Sequence, residues 1–179
     1  IVDGKGLRYT IFTQGCPHHC EGCHNPDTHD FEGGTEKEIT AIYEEICSNP
    51  LLSGVTFSGG EPFCQPAPLA VLAEMVHKKG LNVTTYTGYT LEQLLEMKNP
   101  DVQHLLTQTD ILIDGKFDIA QKDLSLSFRG SRNHGGGYGR KCKKRRCSRR
   151  SQSSRDHGGE ADFFSDSNVP SAANPEVCS

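Results

Sequence analysis

Leu7-Arg-Tyr-Thr-Ile-Phe-Thr13, running through Gln14-Gly15 into Cys16-Pro-His-His-Cys20-Glu-Gly-Cys23, decides both the architecture and the chemistry of this chain. Its first seven residues alternate and are rich in β-formers, so they read as a strand. Directly after that strand, three thiols fall within eight residues at the spacing C-x3-C-x2-C. Three thiolates are one short of the usual cysteine set of an iron–sulfur cluster. A cluster held by three keeps one iron without a protein ligand, and an open coordination position is what a catalytic metal site needs. Two other readings stay open on spacing alone. A structural zinc site would draw on His18, His19 or His24, although such sites usually pair their ligands across a longer stretch. A disulfide is the second, yet nothing else in the chain looks secreted.

The 179 residues suffice for one domain with a real core and some chain left over. No stretch has the length and apolarity of a membrane span, and no signal-peptide pattern is found. The sequence begins at Ile1 rather than Met, so a short preceding piece is expected. Eight cysteines in a chain of this kind argue for metal or redox chemistry and make the cytoplasm the expected location. The net charge of −4 hides two unlike parts. Residues 1–133 hold 10 Lys and Arg against 18 Asp and Glu, a net of −8, whereas 134–179 hold 9 against 5, a net of +4. That asymmetry places a boundary near Asn133.

Outward from the cysteines, strands and helices alternate. Thr35 and Glu38 have capping-box spacing, and Ile39, Ile42, Tyr43 and Ile46 follow at helical intervals up to Asn49-Pro50. Gly54–Ser58 reads as a strand ending at Gly59-Gly60. A helix with Leu69, Leu72, Ala73 and Val76 on one face closes at Gly80. Leu81–Thr87 is the next strand. Thr90 and Gln93 again have capping-box spacing ahead of a helix, Val102–Leu106 is a shorter one, and Asp110–Ile113 is the fourth strand. This alternation predicts parallel βα units. Ligands of such sheets gather beyond the C-terminal strand ends. All four expected strands end in a chemically notable loop: the cysteines, Gly59-Gly60-Glu61, Thr87-Gly88, and Asp114-Gly115-Lys116.

CPHHCEGC, SGGEP (58–62), YTGY (86–89), DGKF (114–117) and FRGS (128–131), in that order, resemble the radical S-adenosylmethionine enzymes. Within them the resemblance is nearest to the short glycyl-radical activating enzymes of anaerobic ribonucleoside-triphosphate reductase, and it covers roughly residues 1 to 133. It implies an α/β fold, a partial, open (β/α) barrel with parallel strands. It implies a 4Fe–4S cluster on Cys16, Cys20 and Cys23, with S-adenosylmethionine chelating the free iron. One-electron cleavage of that cofactor would give a 5′-deoxyadenosyl radical, which takes a hydrogen atom from a glycine of the reductase. The resemblance also implies that Gly59, Gly60 and Glu61 lie along the methionine moiety and that Gly22, Cys23 and His24 contact the cofactor through their backbone. Many radical S-adenosylmethionine enzymes carry an aromatic residue where Gly22 stands; glycine there suits the activase branch. The electron donor implied is a flavodoxin or ferredoxin.

Other residues carry less. His18 and His19 read as exposed loop residues, Cys47 as a small core residue, and Cys64 as near the site without a partner at metal spacing. Asp114 and Lys116 have turn and solvent readings beside functional ones, and Arg129 reads as a carboxylate or partner contact or a sheet-edge cap. After Asn133 the resemblance stops. A Gly-rich run, the basic stretch 140–150 and a Ser/Asp/Pro-rich end predict a disordered tail, read here as an out-of-frame or mis-assembled C-terminus. Cys142, Cys147 and Cys178 make only a weak second metal site. Two other functions compete: an activase of pyruvate formate-lyase type or another radical S-adenosylmethionine enzyme, and a zinc-containing nucleic-acid-binding module with a basic tail. The acidic body counts against the second, since polyanion binding needs basic surface.

Overall fold

The structure, a computed structural model, describes residues 4–122, 131 and 140–141. Four parallel strands lie in the order β1 (Arg8–Thr13), β2 (Gly54–Gly59), β3 (Asn82–Tyr86) and β4 (Ile111–Ile113). The sheet does not close, which agrees with the open α/β architecture expected. A two-residue β5 (Arg140–Lys141) pairs antiparallel with β4. This is an exception to the expectation of a disordered tail. β4 would otherwise present a bare edge, and a short antiparallel segment satisfies its backbone groups. The remainder of that tail, with Cys142, Cys147, Cys178 and the frame-shift reading, lies outside the described residues, as does Arg129.

Pleat alternation sends Val55, Phe57, Val83 and Leu112 to one face. There they are fully buried with Ile46 of α1 (Ile39–Ser48), Leu72 and Val76 of α2 (Pro66–Lys78), Leu94 of α3 (Leu91–Glu96), and Val102 and Leu105 of α4 (Pro100–Gln108). Tyr9 and Ile11 of β1, registered with Val55 and Phe57, pack against the same cluster. The opposite face is more polar. Arg8 lies across three strands on it, donating to Thr56 Oγ1 (2.6 Å), Asn82 Oδ1 (2.7 Å) and the Val55 carbonyl. Burial lowers the Arg8 pKa, opposed by Tyr86 and Asp110.

The helix starts differ in one respect from expectation. Thr90 and Gln93 form both halves of a capping box. Thr35 does not: α1 begins at Ile39 with Glu38 as its N-cap and no side-chain cap bond. A capping box needs the threonine one residue before the helix, and here the preceding stretch is extended. Pro66 and Pro100 occupy the first turns of α2 and α4, where a missing N–H costs nothing.

Leu72 is wholly enclosed between sheet and helices. Leu72→Ala is expected to lower unfolding stability by about 2–5 kcal/mol, read from denaturant curves of the reduced, metal-free chain.

Candidate metal centre

The parallel arrangement puts the C-terminal ends of β1 to β4 on one rim, and the cysteine loop leaves β1 there. Its base is stitched on both sides. The Gly15 and Cys16 amides donate to the carbonyls of Thr28 (3.0 Å) and His29 (3.1 Å). On the other side the β1–β2 ladder runs past the strand ends, with Gly60 N donating to Thr13 O and Glu61 N to Gly15 O, both at 2.8 Å. This close approach is why residue 60 is glycine: a Cβ there would lie 2.4 Å from the Gly15 carbonyl oxygen and 2.9 Å from that of Thr28. Both obstacles are backbone, which no rotamer change relieves. Within the loop, His19 adopts a left-handed conformation (φ 45°) and Gly22 another (φ 69°). His19 is a non-glycine residue in that region, a strain of about 1–2 kcal/mol that the flanking contacts hold in place.

The three thiols differ in setting. Cys16 is 8% exposed, while Cys20 and Cys23 are half-buried. The backbone amides of His18 and His19 favour the Cys16 thiolate, and the Cys23 sulfur accepts Asn25 N at 3.4 Å. Backbone N–H groups aimed at sulfur are among the contacts that set the properties of a thiolate-held cluster. The donor set therefore fits an iron–sulfur cluster. Among the described residues no three His, Cys, Asp or Glu side chains gather around one point as a single ion would require. Burial pushes the Cys16 thiol above its ordinary range; the His18 and His19 amides oppose the rise, and the Glu61 and Cys20 charges add to it.

The neighbouring histidines are placed in three different ways. His19 is exposed, as expected, with its ring edge-on to His29 (centroids 5.3 Å). His24 stands edge-on to Phe117 of the DGKF segment (5.1 Å). His18 departs from expectation: its side chain is only 6% exposed and bonds Glu61. Nothing near His18 in sequence signals this, because its partner lies 43 residues away. Glu61 is fully buried, and its two carboxylate oxygens accept from Phe63 N, Thr87 Oγ1, Gly88 N and His18 Nε2. Asp114 serves a distant element, its Oδ2 accepting Leu91 N at 2.9 Å at the start of α3, while Gly115 N donates to Tyr89 O. Lys116 is exposed. Ser131, the last residue of FRGS, is buried and accepts the Asp118 amide. Cys64 is buried in the turn after Glu61, and Cys47 is half-buried on α1.

Two outcomes test this geometry. Gly60→Ala is expected to leave a folded chain whose cysteine loop is displaced, so that iron and sulfide retained after reconstitution fall well below the native stoichiometry. In the metal-free chain the raised Cys16 pKa means that the thiolate is scarce at neutral pH. Alkylation of Cys16, mapped by mass spectrometry, should therefore keep accelerating as pH rises beyond the ordinary thiol range.

A family model described as a 4Fe-4S single cluster domain matches residues 2–135. The anaerobic ribonucleoside-triphosphate reductase-activating protein of Vibrio cholerae is 34% identical over 142 residues, covering 74% of this chain and 88% of that protein. Its counterpart from Pasteurella multocida is 37% identical over 143 residues, with the same coverage of each chain. A pyruvate formate-lyase-activating enzyme from Clostridium pasteurianum is 40% identical over 99 residues, covering 50% of this chain but only 40% of that enzyme. With the three thiols on the strand-end rim and relatives matched along nearly their whole length, the chain belongs to the family of anaerobic ribonucleoside-triphosphate reductase-activating proteins, radical S-adenosylmethionine enzymes with a single 4Fe–4S cluster.

Proposed function

We propose that this chain activates an anaerobic ribonucleoside-triphosphate reductase by generating a glycyl radical on its large subunit. The observation that carries the reading is a loop of three thiols on an open strand-end rim, with the Cys23 sulfur accepting a backbone N–H group. Cys16, Cys20 and Cys23 hold the cluster. Bound there, the cluster and S-adenosylmethionine supply one-electron cleavage of the sulfonium and hydrogen abstraction by the resulting 5′-deoxyadenosyl radical. The rest is positioning by the chain. The Gly59-Gly60 backbone lies beside the loop, close enough to line the methionine part of the cofactor. Gly22, Cys23 and His24 offer backbone groups on the opposite flank, where Phe117 and Ile119 abut His24 and Gly22. Glu61 belongs to the same site through its position, since both of its carboxylate oxygens are already engaged.

The helices cover one sheet face and leave the sheet unclosed, which suits a guest as large as a loop of another protein. A flavodoxin or ferredoxin is the proposed electron donor, and the cytoplasm the proposed compartment. No helix among the described residues is long and apolar enough to cross a membrane. Nucleic acid is not a proposed partner, given the acidic body.

Anaerobic reconstitution with iron and sulfide tests the reading. The expected product is a brown chain that reductively cleaves S-adenosylmethionine and, mixed with the reductase, gives a glycyl radical signal. Cys16→Ala, Cys20→Ala and Cys23→Ala should each lower cleavage by more than about 100-fold, beyond what loss of an outer-sphere partner costs. A colourless chain that takes up zinc alone would defeat the proposal. A radical formed on pyruvate formate-lyase but not on the reductase would reassign the partner and keep the chemistry.

A further inference from the structure

We infer that His18 is a positioning residue, a latch that holds the cysteine loop on the rim formed by β2 and β3, with Glu61 as its catch. Three observations meet at this side chain. First, His18 Nε2 donates to Glu61 Oε2 at 2.9 Å, with the two side chains 6% and 0% exposed. Second, Glu61 is not a loose acceptor. Its Oε1 takes Phe63 N (3.0 Å) from the turn after β2 and Thr87 Oγ1 (2.8 Å) from the end of β3, and its Oε2 takes Gly88 N (2.8 Å) as well. A carboxylate has about four such acceptor sites, and His18 fills the last. Third, the imidazole is boxed in: Tyr89 stands edge-on at 4.5 Å, and a Cβ on Gly88 would fall 2.2 Å from the ring.

The same residue's backbone faces the other way. The His18 amide favours the Cys16 thiolate two residues before it. One residue thus grips the body of the protein with its ring from within the loop that carries the ligand thiols. Its side chain reaches Gly88 and Tyr89 in the loop that follows β3. The bond lies in a water-poor setting, where removing one partner strands the other and the loss is felt in full. The latch acts on where the thiols sit, and hence on which way the open iron faces. That last consequence rests on the cluster reading above; the latch itself does not.

The test is built to separate the two. In the reduced, metal-free full-length chain, alkylation by iodoacetamide is mapped at Cys16, with Cys47 on α1 as internal reference. His18→Phe keeps ring volume and removes the donor, whereas His18→Gln restores an N–H near the Nε2 position. The expected result is a Cys16-to-Cys47 rate ratio raised about tenfold by His18→Phe and held within about threefold of native by His18→Gln. A native ratio in His18→Phe, or an equal rise in both variants, overturns the latch. If His18→Phe unfolds globally, Cys47 accelerates with Cys16, and His18→Gln alone then decides, a near-native ratio supporting the latch and a raised one refuting it. In the reconstituted protein, the change that S-adenosylmethionine makes to the spectrum of the reduced cluster should need about tenfold more cofactor in His18→Phe and recover in His18→Gln. Should the native chain take up no cluster, the functional reading fails while the alkylation result still judges the latch.

Discussion

Parallel pairing of β1 with β2, carried two residues beyond the strands, is the constraint on which the site depends. Where most ladders stop, Gly60 and Glu61 continue to bond the segment that opens the cysteine loop. The first thiol is thereby tied to the backbone of a second strand. No side chain fits at position 60, and the residue after it is carried inward to complete burial. The glycine pair and the acidic residue are thus consequences of one geometric demand, that two chain segments run within backbone contact at the mouth of an open sheet.

Around that seam the protein supplies what an iron–sulfur centre asks of its host. An amide donates to the Cys23 sulfur, the Cys16 thiol is withdrawn from water, and aromatic rings brace the loop from both flanks. Withdrawal from water has a cost for assembly, because a buried thiol gives up its proton reluctantly, and a gain once metal is bound, because solvent access to the centre is limited. The family model matches residues 2–135, a region that ends before the basic stretch.

Much of this was legible in the residues themselves. The four parallel strands, the order of helices and the chemically loaded strand ends follow from periodicity and punctuation, because each is a local property. The capping box at Thr90 was legible for the same reason. The one at Thr35 misled: spacing alone cannot tell whether the chain has already turned into a helix, and here Glu38 occupies the cap. What stayed hidden is what depends on distant partners. His18 reads as a solvated loop residue until Glu61 is brought beside it, and Asp114 has no evident task until its carboxylate meets the first amide of α3. β5 was hidden for a different reason, since two basic residues in a low-complexity stretch carry no strand signal; only the free edge of β4 gives them one.

The long reach of these supports also bears on how the molecule is made. The thiols leave the ribosome before their backing, which arrives as Glu61 and Gln65, then Thr87 and Gly88, and finally Phe117 and Ile119. Through most of synthesis the loop is therefore a naked trio of cysteines with no seat to hold them. Contacts of such sequence separation form late. Iron delivered to a nascent chain would find ligands without a site, so loading of the centre belongs after translation has passed the fourth strand.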